Sequence, residues 1–345
     1  MTAQSDDRSV TESPMESRGG SLSRDALRRR VQSLSILSPT LLALVLFALG
    51  SAVVNNFASR NNIDSILILA SFLGICSAGQ TLVIILGGID LSVASTIGMG
   101  EVVTSVEYGR GMPLWQIMLL LVVAGVLIGA LNGGISSYFN VHPLIVSLGV
   151  SFVISGAILI WTSGASAQGV SPHVFSMMTS IRSTIGPIPV PPVLLVWVAV
   201  AAIVIAIQRR TRLGRELYAL GSSADAAGLA LARRKTVWIF TYAVSALGGL
   251  LAGVLLSGFS GGADFSSGAP YLFSSIAAVV VGGTSLLGGS GGYGRTIVGS
   301  VVIIEITTIL VGVGFSSSLQ ETMLGIFIIL VVAVIGREAH VRTRV

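Results

Sequence analysis

The sequence predicts an all-α integral membrane protein, and three observations carry that expectation. Hydrophobic residues make up 52% of the 345 and charged residues only 10%, with a mean hydropathy of +0.89. A soluble domain carries roughly 25% charged residues, so this chain lacks the polar side chains needed to cover a water-facing surface. Second, the apolar residues fall in successive runs of about the 20 residues that a helix needs to cross the hydrocarbon layer. A transmembrane β-barrel would instead alternate in segments of about ten residues, and these runs do not alternate. Third, the basic residues gather between the runs rather than within them. The 42 glycines suit helices that pack backbone to backbone in lipid.

The elements follow in order. Residues 1–33 are polar, rich in Ser and Arg and without an apolar core, which predicts a disordered cytoplasmic tail. They lack the charged start followed directly by an apolar stretch that marks a secretory signal. Candidate spans then run over 34–54, 63–86, 91–107, 114–138, 144–162, 191–208, 236–256, 272–289, 296–314 and 319–336. Together they form a transmembrane domain over 34–336, followed by a cytoplasmic tail at 337–345. Cys76 lies within the second run, is the single cysteine, and reads as a small core residue.

Charge orients this arrangement. The net charge of +5 does not describe a nucleic-acid-binding face, because the cations concentrate at Arg24–Arg30, Arg209–Arg215, Arg233–Lys235 and Arg337–Arg344. That is the distribution of cytoplasmic loops. With both termini inside and about ten crossings, the loop 209–235 falls inside. The loop 163–190, with one arginine (Arg182) and no lysine, then falls outside. Eight crossings also satisfy the charges if two spans flank a re-entrant hairpin.

The loop 209–235 differs from the others in length and composition. Asp225 follows Ser222 by three residues in the form of a capping box, and Ala224–Ala232 is rich in strong helix formers. A short helix is expected there, either docking into a groove on a partner or anchoring to lipid headgroups.

Polar residues within the apolar runs are the candidate functional positions. Asp90 lies in Leu86-Gly-Gly-Ile-Asp-Leu-Ser-Val-Ala-Ser95, after the helix-breaking pair Gly87-Gly88 and two residues before Ser92. It reads either as the N-cap of the third span or as a gating or substrate-contacting carboxylate. A second glycine-rich interruption, Val281-Gly-Gly-Thr-Ser-Leu-Leu-Gly-Gly-Ser-Gly-Gly-Tyr-Gly294, contains Gly282, Gly283 and Thr284. Paired interruptions in the two halves of a transporter point to its pathway. Asn132, Asn140, His142 and Pro143 mark a further interruption, with Pro143 suited to a first helical turn. Glu305 and Gln320 are late polar intrusions. His142 has no partner at metal-ligand spacing, and no metal site is expected. No nucleophile elbow, zinc-protease motif or Walker motif is present. These absences predict a transporter whose energy comes from an ion gradient or a separate ATPase.

Four ordered stretches resemble sugar-type ABC transporter permeases, the group typified by ribose permeases: Gly87–Ser95, His142-Pro-Leu-Ile-Val-Ser-Leu-Gly149, Gly214-Arg-Glu-Leu-Tyr-Ala-Leu-Gly221 with Ala226-Ala227, and Ile276–Gly289. The resemblance covers roughly residues 40–336. It implies a permease paired with a second permease subunit, identical or not. Cytoplasmic ATP-binding subunits would drive it, and a periplasmic or lipid-anchored solute-binding protein would deliver the solute. The setting is a bacterial inner membrane, and nucleic acid is no partner. The chain itself would bind no cofactor; ATP would bind the partner subunit. Gly214, Arg215, Ala219, Gly221, Ala226 and Ala227 would belong to the ATPase-coupling loop. Gly88, Asp90, Ser92, Gly282, Gly283, Thr284 and Glu305 would line or gate the translocation path. The chain departs from the family pattern at Leu272 and Ser274, where acidic residues are usual. It departs again at Leu231, where a glycine is typical, and at Glu305, near a customary asparagine. Two other readings stand beside this one: a branched-chain amino-acid permease, and a self-contained transporter with Asp90 or Glu305 as its proton site.

Overall fold

A computed structural model of the protein describes residues 39–164, 169–223, 227–228 and 232–341. Its side chains are described through Leu330. The expected tail at 1–33, Ala226, and most of the expected helix at 224–232 lie outside the described residues.

A helix occupies each of the ten expected spans. These are α1 (Pro39–Val53), α2 (Arg60–Ile85), α3 (Val93–Gly109), α4 (Leu114–Tyr138), α5 (Pro143–Trp161), α7 (Val193–Arg210), α9 (Arg234–Ser260), α10 (Ala269–Val281), α11 (Tyr293–Gly312) and α12 (Ser317–Val341). Further helices between spans among the described residues include α6 (His173–Thr179) and α8 (Arg212–Ser222). A 3-10 turn, Phe265–Gly268, leads into α10. Among the described residues six helices, α2, α4, α5, α7, α9 and α11, are long and apolar enough to cross a membrane. The segments Pro39–Val53, Phe265–Val281 and Ser317–Leu330 are shorter apolar helices. Among the described residues the only β feature is one isolated bridge between Ile185 and Ile188.

The breaks follow from local chemistry. Gly87 takes φ 91° as the chain leaves α2, a left-handed conformation open to glycine at little cost. Pro143 begins α5 at a position where its missing N–H leaves no intrahelical bond unmade. Three expectations are corrected here. The span expected over 272–289 is helical only to Val281, because Gly283, Gly288, Gly289 and Gly291 all take positive φ. Asn132 does not interrupt its helix; α4 runs through it to Tyr138, and the break comes at Phe139–His142. In the loop 209–235 Ser222 is the last residue of α8 rather than the cap of a later helix; Ala227 and Gly228 are helical, and the rest of the helix expected at 224–232 lies outside the described residues.

The bundle is built around α2 and α9. Nearly all of α2 is buried, and the greater part of α9. Phe72, Leu73 and Ile75 of α2 pack with Trp197, Leu255, Ala278 and Ile303 from α7, α9, α10 and α11. A second cluster joins Val102, Leu121, Ile158 and Leu250 of α3, α4, α5 and α9. Helices in lipid gain nothing from the hydrophobic effect against one another, so close van der Waals approach must hold them. Gly79 of α2 and Gly129 of α4 provide it, lying against the backbone of α9 at Ser245 and Ala243 with no room for a Cβ.

The two ends of the bundle differ. At one end the turns after α2, α4 and α10 meet the arginine-rich segment around α8. At the other end α3 meets the segments around α6 and after α9: Val170 N–H donates to Ser105 O at 3.1 Å, and Ser105 Oγ donates to Gly262 O at 2.8 Å.

Gly79→Val is expected to lower the melting temperature of the detergent-purified protein, since overpacking a tight contact costs about 1–3 kcal/mol. Gly134→Ala on α4, where a Cβ would meet nothing within 4 Å, is expected to leave melting unchanged or raise it slightly.

Candidate functional site

Helix α8 begins where α7 ends. Thr211 caps it, its Oγ1 accepting from Gly214 N–H at 3.1 Å. Gly214 lies so close to the carbonyls of Ile207 and Gln208 that a side chain there would strike backbone. This sharp turn lays α8 across the end of the bundle. Its periodicity is strongly amphipathic. Leu217 and Leu220 are buried with Ile85, Leu86, Val204, Val237, Tyr293 and Ala227, while Arg212, Arg215 and Ala219 are exposed. Glu216 anchors the inner side, at 2.7 Å from Arg212 Nε and 3.5 Å from Arg233 Nε. Burial acts to raise its pKa, but the Arg212 hydrogen bond and the charges of Arg233 and Arg212 outweigh it and hold the carboxyl below its ordinary value.

The inner side of α8 rests on two chain breaks at once. Gly289 N–H donates to Ile85 O at 2.8 Å, joining the glycine loop after α10 to the end of α2. Gly221 of α8 is packed against that same carbonyl and against Gly289, and Ser222 lies beside Gly289. Tyr218 OH donates to Gly291 O at 3.0 Å. Within the loop, Gly282 caps α10 against the Arg295–Thr296 backbone. Gly283 takes φ 76°, and Thr284 Oγ1 accepts from Gly292 N–H at 3.4 Å.

The loop leads directly into Tyr293, which sequence reasoning missed because an aromatic residue opening an apolar run carries no distinguishing signal. Its N–H donates to Gln208 Oε1 of α7 at 3.1 Å, and its hydroxyl donates to Gly74 O of α2 at 2.7 Å. The same hydroxyl accepts from Trp197 Nε1 at 2.9 Å. One fully buried side chain thus fixes α11 to α2 and α7, next to the loop on which α8 rests.

Asp90 occupies a separate cluster. Its Oδ1 accepts from Ser92 N–H at 2.8 Å and from Ser92 Oγ at 2.5 Å. The N-cap of α3 is Ser92 itself, so Asp90 closes the turn before the helix and is not the cap. Asn132 Nδ2 donates to Ser92 Oγ at 3.0 Å, and Ser147 Oγ accepts from Leu91 N–H at 3.0 Å. Gly88 leaves room for the Tyr242 hydroxyl, 2.7 Å from where a Cβ would stand. Asp90, Ser92 and Asn132 are all fully buried.

The expected path residues are therefore divided. Gly282, Gly283 and Thr284 join the α8 junction, while Gly88, Asp90 and Ser92 face α4, α5 and α9. Glu305 is buried on α11 and makes no hydrogen bond or ion pair among the described residues. Of the expected coupling residues, Arg215 and Ala219 are exposed, Gly214 and Ala227 are buried, and Gly221 is half-buried. Sequence reasoning also passed over Glu101. Fully buried on α3, it accepts from Ser260 Oγ at 2.8 Å and from Ser267 Oγ at the opposite end of the bundle. A second carboxylate inside the third span was its available signal. Among the described residues no group of three His, Cys, Asp or Glu side chains comes together.

A family model described as "Branched-chain amino acid transport system / permease component" matches residues 62–332. The chain belongs to that permease family. It is 30% identical to the ribose import permease protein RbsC of Haemophilus influenzae over 267 residues, 75% of this chain and 80% of the relative. It is 28% identical to the autoinducer 2 import system permease protein LsrD of Yersinia pseudotuberculosis over 269 residues, 77% of this chain and 80% of the relative. The LsrD protein of Salmonella paratyphi B is 29% identical over 271 residues. No solved structure matches. The resemblance to sugar-type ABC permeases is thus borne out, and the protein is a multi-pass inner-membrane transporter component, not an enzyme.

The low pKa of Glu216 gives the α8 anchor a pH dependence of definite sign. A carboxylate held below its unfolded value stabilises the fold above the ordinary carboxylate range and loses that contribution as pH falls through it. Glu216→Gln is expected to melt below the wild type at pH 7. The gap should close on acidification past about pH 4, read by melting the two proteins side by side across pH.

Proposed function

We propose that this chain is the membrane subunit of an ABC importer that moves a sugar or a similar small polar solute across the cytoplasmic membrane, powered by ATP bound and hydrolysed on a separate subunit. Family membership supports the class. The names of the relatives, ribose and autoinducer 2 import permeases, favour a sugar-like solute over the branched-chain amino acid in the family's own description. ATP hydrolysis on a separate subunit agrees with the lack of a Walker motif in this sequence. In this reading ten helices cross the bilayer with both termini and the α8 end in the cytoplasm, as the arginine clusters favour. A second permease subunit and a solute-binding protein complete the assembly. The path residues Asp90, Ser92, Thr284 and Glu305 line or support the route.

The observation that carries the reading is the division of α8 into two faces. Arg212, Arg215 and Ala219 are exposed on a helix lying across the bundle end, where a cytoplasmic ATPase would grip. The opposite face is seated on the Ile85–Gly289 junction. Movement of the ATPase would therefore be passed to α2 through Ile85 and to α11 through Tyr293. A proton-coupled mechanism has less support, because Asp90 and Glu305 share no hydrogen bond and belong to separate groups of helices.

Changing the exposed positions to Arg215→Glu and Ala219→Asp should leave the fold intact while abolishing co-purification of the ATPase from the protein's own membranes. ATP-driven solute uptake in proteoliposomes should fall at least tenfold. Capture of the ATPase undiminished by both changes would remove α8 as the docking helix. Uptake driven by a pH gradient with no ATPase present would replace the ABC reading with the proton-coupled one.

A further inference from the structure

The cluster around Asp90 holds more oxygen atoms than its hydrogen bonds use. Asp90 Oδ2, Asn132 Oδ1, Tyr242 OH and Ser245 Oγ are buried atoms without a hydrogen-bond partner among the described residues. All four residues are fully buried, and they come from three separate pieces of chain: the turn before α3, the C-terminal part of α4, and adjacent turns of α9. The Tyr242 hydroxyl reaches the backbone at Gly88, two residues from Asp90, and feels the charge of the Asp90 carboxylate, while the Ser245 side chain lies against that carboxylate as a weak donor. Ser92 ties the acid to Asn132, accepting from Asn132 Nδ2 at 3.0 Å while donating to Asp90 Oδ1 at 2.5 Å.

The charge balance of this cluster is one-sided. A carboxylate within a membrane protein is ordinarily paired with a cation or faces water. Asp90 forms no ion pair among the described residues, and its near neighbours are hydroxyls and amides. Ser92 supplies both donors to Oδ1, while Oδ2 receives none. Asn132 Oδ1 can only accept, and each hydroxyl oxygen keeps lone pairs to offer a cation whichever acceptor its proton serves. What such a set lacks is positive charge. Oxygen ligands alone, with no nitrogen or sulfur, select hard cations over transition metals. A single carboxylate with three neutral oxygens suits a monovalent ion, whereas calcium takes six to eight oxygens, commonly with several carboxylates among them.

We propose that Asp90, Asn132, Tyr242 and Ser245 form a buried binding site for a monovalent cation of the sodium class, which ties the α2–α3 turn to α4 and α9. The site does not depend on how transport is powered. The ion fills a position that the fold has built from residues up to 155 apart in sequence, and it neutralises the acid without a basic side chain. Its binding stabilises the folded protein, because only the folded chain brings the four oxygens together.

The test is thermal melting of the purified full-length protein in sodium, potassium and choline chloride at equal ionic strength. Sodium is expected to raise the melting temperature saturably, by roughly 3–6 °C at saturation, with choline without effect. Asp90→Asn should abolish the response, and Ser245→Ala should shift its midpoint at least fivefold to higher sodium. Should Asp90→Asn fail to fold, Ser245→Ala and direct binding of radioactive sodium to the wild type decide the matter. Identical melting in all three salts, or a sodium response unchanged in both variants, would overturn the site. A neutral Asp90 carboxyl with buried water would then occupy the cluster.

Discussion

One backbone contact organises the arginine-rich end of this molecule: the Ile85 carbonyl, which accepts from Gly289 N–H at 2.8 Å and carries Gly221 of α8 against it. Three glycines make it possible. Gly288 and Gly289 adopt left-handed backbone, and Gly221 removes the side chain that would separate α8 from the carbonyl. A helix that has ended still holds carbonyls without intrahelical partners, and inside a membrane protein those must be satisfied by protein. Meeting that need at the end of α2 brings the glycine loop and α8 to the same point.

From this contact the structure extends in two directions. Tyr218 binds the loop again at Gly291, and Tyr293 follows immediately, bonded to α2 and α7 through a buried hydroxyl and backbone N–H. The loop is therefore held at both margins rather than draped over the bundle. On the other side, Leu217 and Leu220 bury α8 in the cluster that includes Ile85, Val204 and Val237. Fully burying such a leucine contributes about 1.5–3 kcal/mol. Its exposed side contributes nothing to the subunit's own packing, which leaves it available to a partner. Surface arginines alone would anchor the helix weakly, so the apolar contacts set its position and the Glu216 ion pairs refine it.

Hydropathy made the helices legible because a bilayer imposes their length and composition, and a helix stands at each of the ten expected spans. The positions of the breaks were legible at Gly87-Gly88 and Pro143, where backbone chemistry acts locally. Two things were not. The helix Arg212–Ser222 was not expected, because the strong helix formers of the arginine-rich loop are denser further on, at Ala224–Ala232. Helix α8 depends on the Thr211 cap and on burial of Leu217 and Leu220, and burial is a tertiary fact that composition does not record. The surroundings of Asp90 were equally hidden: Asn132, Tyr242 and Ser245 arrive from α4 and α9, and nothing local to Gly87–Ser95 points to them. Glycine pairs flagged both Gly87-Gly88 and Gly282-Gly283, but only the contact between Ile85 and Gly289 shows that the two interruptions meet.

The central claim is that α8 moves the transmembrane helices through the Ile85–Gly289 junction. The measurement that tests it most directly is the number of solute molecules imported per ATP hydrolysed by the complete assembly carrying Gly221→Ala. A methyl group there would collide with the Ile85 carbonyl while leaving the exposed face of α8 unaltered. If the junction transmits the motion, the ATPase still binds and hydrolyses, and import per ATP falls several-fold. An unchanged ratio in a folded assembly would contradict the account.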